Sequence, residues 1–301
     1  MDGWAGMEAE ISGGERAIDP RAEIGEFLRT RRARLRPEDV GLPVSGRYRR
    51  VPGLRREELA QLAGVSVAYL TRLEQGKGNN VSDEVLGAIS AALRLSDTEH
   101  DYLTHLLRRQ PHRKAPSQPR VRSSLRELLA SMETVPTYVT GPRAEILAWN
   151  PVAAALFGDW DRVPPRERNW ARLVFLRPDA RLLFVDWESA AADTVGALRL
   201  EAGWRPTDPQ LSALVGELSV KSEEFRRLWA RHDVKEKSHG TRRLRHPLVG
   251  ELTLSFESLR LPDDPEQCLT VYHARPGSAA ADDLRLLASW GADASAAGTG
   301  R

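Results

Sequence analysis

The chain has 301 residues, of which 41% are hydrophobic and 29% are charged. This composition suits a globular protein of about two domains, each large enough to bury a core. With 44 basic and 42 acidic side chains, the net formal charge is only +2, which excludes a strongly basic or acidic protein. The basic residues are nevertheless concentrated in two stretches. Between Arg21 and Glu58 there are eleven arginines and only six acidic residues, and residues 108–126 carry seven basic residues and no acidic residue. This local excess is typical of a nucleic-acid binder, although a solvated arginine face is the alternative.

Several classes of protein are excluded by what the sequence lacks. Cys268 is the only cysteine, so neither an intramolecular disulfide nor a cysteine-cluster zinc site can form, and we expect a cytoplasmic protein. The apolar stretch 146–158 is too short to span a bilayer, and no membrane contact is expected. G-x-S-x-G, H-E-x-x-H and Walker A motifs are absent. We therefore predict no catalytic residues, no metal site and no cofactor.

The first third of the chain has a helical pattern throughout. Residues 1–20, rich in small side chains, are predicted to form a disordered tail. Apolar residues then recur at helical spacing through residues 21–107, which we interpret as an all-α domain of five helices. Ser82 and Ser96 are predicted to cap the fourth and fifth helices. The basic segment 108–122 contains three prolines and is predicted to be a linker.

From residue 123 to residue 278 the pattern becomes mixed α and β. The stretch TYVTGPRAEILAWNP predicts two short strands, followed by a helix that Asn150 caps and Pro151 begins. Three helical patterns lie between residues 187 and 229. The sequence therefore predicts an α/β domain after the all-α domain.

The end of this second domain is predicted to return to strands. Apolar and polar residues alternate from Glu251 to Glu257, which is typical of a strand with one wet face. The apolar phase then changes, which predicts a bulge near Ser258. A further strand at 269–274 is expected to pair with it in an antiparallel sheet, and residues 279–301 are predicted to form a C-terminal helix and tail.

The stretch LRREELAQLAGVSVAYLTRLEQGKG, which begins at Leu54, predicts two short helices around a sharp corner. Gly64 supplies a left-handed backbone conformation, and Ser66 is placed to accept a hydrogen bond from the amides that open the second helix. Neither helix is long enough to persist alone, so the other three must hold the pair rigid. The pattern is a helix-turn-helix, although such a corner can also be purely structural.

The stretches EELAQLAGVS and YLTRLEQG resemble the helix-turn-helix of the xenobiotic-response-element family, the repressor and Cro class. A longer match resembles the MmyB-like subgroup, on RPEDVGLP, RRVPGLRREELAQLAGVSVAYLTRLEQG, AWNP, EFRRLWARHDV and HPLVGELTL. This resemblance implies a transcriptional regulator that binds a palindromic double-stranded DNA operator as a homodimer. It also implies a PAS-like second domain with an antiparallel sheet and a cavity suited to a fatty acid or another apolar effector.

Positions in the helix-turn-helix indicate candidate contacts to DNA. The second helix of the corner presents Val67 and Ala68 to thymine methyl groups, and Thr71 to a base or a phosphate. Arg72 is either a base contact or an ion-pair partner of Glu74. Further candidates flank the corner or lie in the long insert before it, and they are Arg47, Arg49, Arg50, Arg55, Arg56, Ser66, Lys77, Asn79 and Asn80.

Aromatic residues are concentrated beyond the linker, where they either fill a core or line an apolar pocket. The resemblance favours the pocket, with a basic residue or a histidine at its mouth to meet a carboxylate. The candidate effector-binding residues are Arg143, Trp149, Phe157, Phe175, Trp187, Trp229 and His246.

Two classes of function remain open from the sequence. The first is a DNA-binding transcriptional regulator that responds to a ligand, which the basic first domain and the missing catalytic motifs favour. The second is an enzyme or sensor whose N-terminal bundle serves only as a docking module.

Overall fold

The computed structural model describes residues 19–43, 51–78, 81–108, 120–236 and 238–298. The N-terminal part is a bundle of five helices, which confirms the predicted all-α domain. They are α1 (Pro20–Arg34), α2 (Arg56–Leu62), α3 (Val67–Glu74), α4 (Asp83–Ala92) and α5 (Asp97–Arg108). The Ser82 hydroxyl accepts the Val85 N–H at 3.3 Å and the Ser96 hydroxyl accepts the Glu99 N–H at 3.3 Å, so both predicted caps are confirmed.

The second part combines helices with one antiparallel sheet, as predicted. Its helices are α6 (Ser123–Ser131), α7 (Pro151–Phe157), α8 (Trp170–Leu176), α9 (Pro178–Leu183), α10 (Trp187–Trp204), α11 (Pro209–Lys221), α12 (Glu223–Trp229) and α13 (Ala279–Gly298). Its strands are β1 (Thr137–Thr140), β2 (Ile146–Trp149), β3 (His239–His246), β4 (Gly250–Arg260) and β5 (Cys268–His273). The strands lie in the order β2-β1-β5-β4-β3.

The predicted bulge near Ser258 is wrong. β4 pairs in continuous register with β3 from Gly250 to Glu257 and with β5 from Ser255 to Arg260. The apolar phase changes there because the second face of the sheet is covered at Leu261, although Leu259 is 51% exposed. Leu261 packs against α6, on the side of the sheet opposite Phe256.

β3, α6, α8 and α9 were not predicted from the sequence. β3 is an edge strand with the sequence HGTRRLRH, in which charged residues obscure the apolar alternation. The guanidinium groups of Arg242, Arg243 and Arg245 bind carboxylates of Asp193, Asp186 and Glu251, respectively. These partners are distant in sequence in two of the three cases, so the strand's composition alone gives a misleading impression of a loop.

Three apolar cores hold the molecule together. The largest lies between one face of the sheet and helices α7 to α13, and a smaller one lies between the other face and α6. The third is the core of the helical bundle, and it includes two residues of the second part, Leu200 of α10 and Val234. The bundle therefore shares its core with the second part.

A buried polar network crosses the same interface. The carboxylate of Glu23, on α1, lies 2.6 Å from the Arg199 guanidinium of α10 and accepts the Tyr102 hydroxyl at 2.9 Å. His232 Nδ1 lies 3.1 Å from the same carboxylate. Burial alone raises the pKa of Glu23, but the hydrogen bonds and charges of His232 and Arg199 outweigh it and lower the pKa from 4.5 to about 2. We call this set of four side chains the Glu23 network.

Backbone geometry brings the two parts close beside this network. His232 has a φ of +52°, and its carbonyl accepts a hydrogen bond from Arg31 at 2.7 Å. A Cβ atom on Gly203 would lie 2.1 Å from the Tyr102 ring, so only glycine permits the observed approach of α10 to α5.

The Glu23 network predicts a pH-dependent contribution to stability. Because the folded pKa lies below the ordinary value, the ionised carboxylate stabilises the fold fully above about pH 4.5, and this stabilisation is lost as the pH falls towards 2. Glu23→Gln should lower the free energy of unfolding by on the order of 3 kcal/mol at pH 7, and by progressively less at lower pH. Chemical denaturation from pH 7 to pH 3 measures this difference.

The matched control is Glu26→Gln, on an exposed position of the same helix. Its effect on the free energy of unfolding should be small throughout the same pH range. A difference between wild type and Glu23→Gln that stays constant with pH would contradict the assignment.

Candidate functional site

The corner between α2 and α3 has the predicted geometry. Gly64 has a φ of +65°, in the left-handed region that favours glycine. The Ser66 hydroxyl accepts the Tyr69 N–H at 3.1 Å and so caps α3. Leu59 and Leu70 are fully buried beneath the corner. The turn therefore fixes the direction in which α3 leaves the bundle.

The N-terminal half of α3 presents an exposed face. Val67 is 44% exposed, and Ala68 and Arg72 are also exposed. The Thr71 hydroxyl donates a hydrogen bond to the Val67 carbonyl at 2.8 Å. The Arg72 guanidinium lies 5.7 Å from the centre of the Tyr69 ring. Small apolar groups and one cation thus face solvent together.

A buried carboxylate holds α3 against the helices behind it. Glu74 is buried at the end of α3, and its two oxygens bind different arginines. Arg32 Nε donates to one oxygen at 2.9 Å, and Arg56 donates to the other at 2.8 and 2.7 Å from Nε and Nη2. The arginines come from α1 and α2, so one side chain joins three helices and holds the exposed face rigid.

A cavity of about 220 Å³ lies between the sheet and α10. Its floor consists of alternate residues of three strands, which point to the same side of the sheet. Six of these floor residues carry hydroxyl or thiol groups, and they are Tyr138, Thr140, Ser258, Cys268, Thr270 and Tyr272. Its roof is a face of α10 that includes Thr194, Leu198 and Glu201. Ala197, which also lines the cavity, is exposed, so the cavity opens to solvent there.

Two groups of charges border this cavity. The Asp193 carboxylate lies 2.5 Å from both Lys235 Nζ and Arg242 Nη2. The Glu201 carboxylate lies 3.3 Å from both Arg205 and Arg260. Burial raises the pKa of Glu201 in spite of these two cations.

The hydroxyl and thiol groups of the floor stay protonated at neutral pH. Burial raises the pKa of Tyr138 and of Tyr272, and it raises the pKa of the Cys268 thiol. The Ser258 and Thr270 hydroxyls lie 3.1 Å apart. The cavity therefore combines a hydrogen-bonding floor with an apolar section beside Leu198.

Two family models match the chain. A helix-turn-helix domain matches residues 23–103, and the MmyB-like transcription regulator ligand binding domain matches residues 121–287, which is more than half of the chain. The chain belongs to the MmyB-like transcription regulators. The regulator thus carries a DNA-binding domain followed by a ligand-binding domain. Comparison with curated proteins gives no match.

The regulator has no helix, within the ranges that the structure describes, that is long and apolar enough to cross a membrane. Among the same residues, no group of three or more histidine, cysteine, aspartate or glutamate side chains is arranged to hold a metal ion.

The structure brings part of the predicted DNA-contact set together. Val67, Ala68, Thr71 and Arg72 share the α3 face, with Lys77 exposed just beyond the helix. The alternative pairing of Arg72 with Glu74 does not occur, because Arg32 and Arg56 occupy that carboxylate.

Other predicted DNA contacts are placed differently. The Ser66 hydroxyl is used as the cap of α3, and the guanidinium of Arg56 is engaged by Glu74, although its side chain is 40% exposed. Arg55 is half-buried and lies 3.9 Å from Glu57. The remaining candidates lie outside the described residues, and they are Arg47, Arg49, Arg50, Asn79 and Asn80.

None of the seven predicted effector-binding residues lies on the cavity wall. The Arg143 guanidinium is buried and binds Asp208 at 2.8 Å and Glu145 at 2.9 Å. His246 Nε2 lies 3.0 Å from the Ala155 carbonyl. The five aromatic candidates pack in or against the largest core, and they are Trp149, Phe157, Phe175, Trp187 and Trp229.

The sequence contains a pattern that indicates the cavity. Ser258 and Thr270 occupy inward positions of strands, where apolar residues normally stand. Polar residues at such positions indicate either a hydrogen-bonded core or a cavity. The aromatic residues gave a stronger signal, but it marked the core.

The backbone conformation of Gly64 predicts how a substitution there changes the free energy of unfolding. Gly64→Ala should destabilise the regulator by about 1–2 kcal/mol, because an L side chain is strained at this positive φ. Space is not the cause, since a Cβ atom there would meet nothing within 4 Å. Chemical denaturation of the purified variant measures the loss.

Gly87→Ala, in α4, is the matched control. Its Cβ atom would also meet nothing within 4 Å, but its φ is not positive. This variant should gain about 0.5–1 kcal/mol from the better helix propensity of alanine. Equal effects of the two substitutions would show that backbone strain at Gly64 is not what the corner requires.

Proposed function

We propose that this regulator reads a palindromic DNA operator with α3, as a homodimer. The observation that carries the proposal is the exposed face of α3, held rigid by the buried Glu74. Val67 and Ala68 suit thymine methyl groups in the major groove, and Arg72 suits a guanine edge or a phosphate. One helix of this length reads only a few base pairs. A two-fold pair of subunits therefore gives a longer, symmetric site.

The proposed domain organisation follows the predicted boundaries, with one extension. The DNA-binding domain is 21–107 and the linker is 108–122. The effector domain, with a PAS-like arrangement of sheet and helices, begins at residue 123. It was predicted to end at 278, but Leu284 and Leu287 of α13 lie in its core, so we extend it through this helix.

We propose that the effector is a small amphipathic molecule in the cavity above the sheet. Leu198, Phe256 and Trp170 supply apolar contacts, while Ser258 and Thr270 supply hydrogen-bonding groups. The cavity is smaller than the roughly 300–1,000 Å³ of typical ligand pockets. Among fatty acids, this volume favours a medium chain over a long one.

Selection of duplexes from a random library tests the DNA-binding proposal directly. We expect the full-length protein to enrich two inverted half-sites about 10 base pairs apart, centre to centre, or a multiple of that spacing. Sedimentation of the selected complex should give two protein chains per duplex. Enrichment of no sequence, or of a single half-site bound by one chain, would contradict the proposal.

Two substitutions separate base reading from phosphate binding. Arg72→Ala should change the preference among operator variants, with about 1–3 kcal/mol of discrimination lost at one base pair. Lys77→Ala should instead weaken all duplexes similarly and reduce the salt slope by about one unit. Fluorescence anisotropy on one set of duplexes at several salt concentrations measures both effects.

Arg226→Ala is the control for the loss of a positive charge, because Arg226 is exposed on α12 in the other domain. It should leave affinity and salt slope at the wild-type values. If Arg72→Ala behaves like this control, α3 does not read the operator in the proposed way.

Thermal shift with straight-chain fatty acids of 6 to 14 carbons tests the effector proposal. A bound acid at about 100 times its dissociation constant should stabilise the protein by roughly 2.7 kcal/mol. Ala197→Trp should abolish the shift by obstructing the mouth of the cavity, whereas Ala130→Trp, at an exposed position of α6, should not. A shift that survives Ala197→Trp would place the acid elsewhere.

A further inference from the structure

Two segments of the effector domain contact both the cavity and the DNA-binding bundle. On α10, Leu200 belongs to the core of the bundle and also lines the cavity, and Glu201 lines the cavity next to it. In the segment 231–236, Val234 belongs to the core of the bundle, while Lys235 and Glu236 line the cavity. In both segments, therefore, residues that pack in the core of the bundle lie next to residues that line the cavity.

The two segments are also fastened to each other. The Lys235 N–H donates to the Gly196 carbonyl of α10 at 3.3 Å. A Cβ atom on Gly196 would lie 2.6 Å from the Lys235 Cβ, so the segment lies directly on the helix. Lys235 Nζ also binds Asp193 at the edge of the cavity. A group in the cavity would therefore contact both α10 and residues 231–236, which are joined into one packed unit.

The same unit supplies the partners of α1 across the interface. Arg199 and His232 bind Glu23, and Asp233 binds Arg31 and Arg34. Taking these charges out of water offsets much of what their pairing returns, so the ion pairs alone do not lock the docked arrangement. Interfaces between domains of one chain are commonly of this marginal kind.

We infer that occupation of the cavity weakens the docking of the DNA-binding bundle onto α10 and residues 231–236. The inference rests on the proposed function in that it takes this cavity as the effector site. A bound group displaces Leu200 and Lys235, and their neighbours Arg199 and Val234 lose their fit to α1 and α5. By linkage, a released bundle raises the affinity of the cavity for its ligand by the same factor, typically 5-fold to 150-fold.

The test measures docking without DNA or effector, so its failure is distinguishable from failure of the proposed function. Donor and acceptor dyes are attached to the full-length chain at Asp101→Cys on α5 and Val220→Cys on α11, both exposed positions. A parent without these two cysteines reports any labelling of Cys268. Single-molecule energy transfer then gives the ratio of docked to released molecules.

Ser258→Leu places a larger side chain in the cavity and serves as the surrogate for an occupant. It should lower the ratio of docked to released molecules at least fivefold, as Glu23→Gln should by breaking the network directly. Ser255→Leu is the matched control, because it makes the same change on the opposite face of the same strand, away from the cavity. It should leave the ratio unchanged.

An unchanged ratio in a folded Ser258→Leu protein overturns the inference, and so does an equal change in Ser255→Leu. If Ser258→Leu does not fold, Ala197→Trp takes its place, since its indole enters from the exposed mouth, with Ala130→Trp as control. A normal ratio in that folded variant would likewise overturn the inference. If Glu23→Gln leaves the ratio of docked to released molecules unchanged, docking does not depend on the Glu23 network. That result would also contradict the inference.

Discussion

The buried carboxylate of Glu23 is the constraint on which the arrangement of the two domains depends. It needs cationic and hydroxyl partners because an ionised group without them is strongly disfavoured in a protein interior. Only one of its three partners, Tyr102, comes from its own domain. The others, Arg199 and His232, come from the effector domain, so the DNA-binding bundle satisfies this buried acid fully only when the domains are docked.

Features that depend on neighbouring residues were predictable from the sequence. The positive φ of Gly64, the caps at Ser66 and Ser82, and the start of α7 after Asn150 all follow from hydrogen bonds within a few residues. The alternation in β4 was equally clear, because one face of that strand is buried in a single continuous core. Local chemistry therefore sufficed for the helix-turn-helix and for the antiparallel character of the sheet.

Features that depend on distant partners were not predictable in the same way. His232 and Asp233 have the composition of a solvated helix end, but their partners lie about 200 residues away on α1. The five aromatic candidates for effector binding suggested a lined pocket, whereas they pack in or against the core. The cavity is bordered mainly by residues from the strands, from α10 and from the segment 231–236, which only the fold brings together.

The membership of Leu200 and Val234 in the bundle core has a consequence for how such regulators can be recombined. Grafting this helix-turn-helix onto an unrelated effector domain would uncover the apolar surface that these two residues fill. It would also remove the guanidinium of Arg199 and the imidazole of His232, which both bind Glu23. The DNA-binding unit is therefore poorly suited to exchange as an independent module. A working chimera of this chain would have to carry α10 and the turn at His232 along with the five helices.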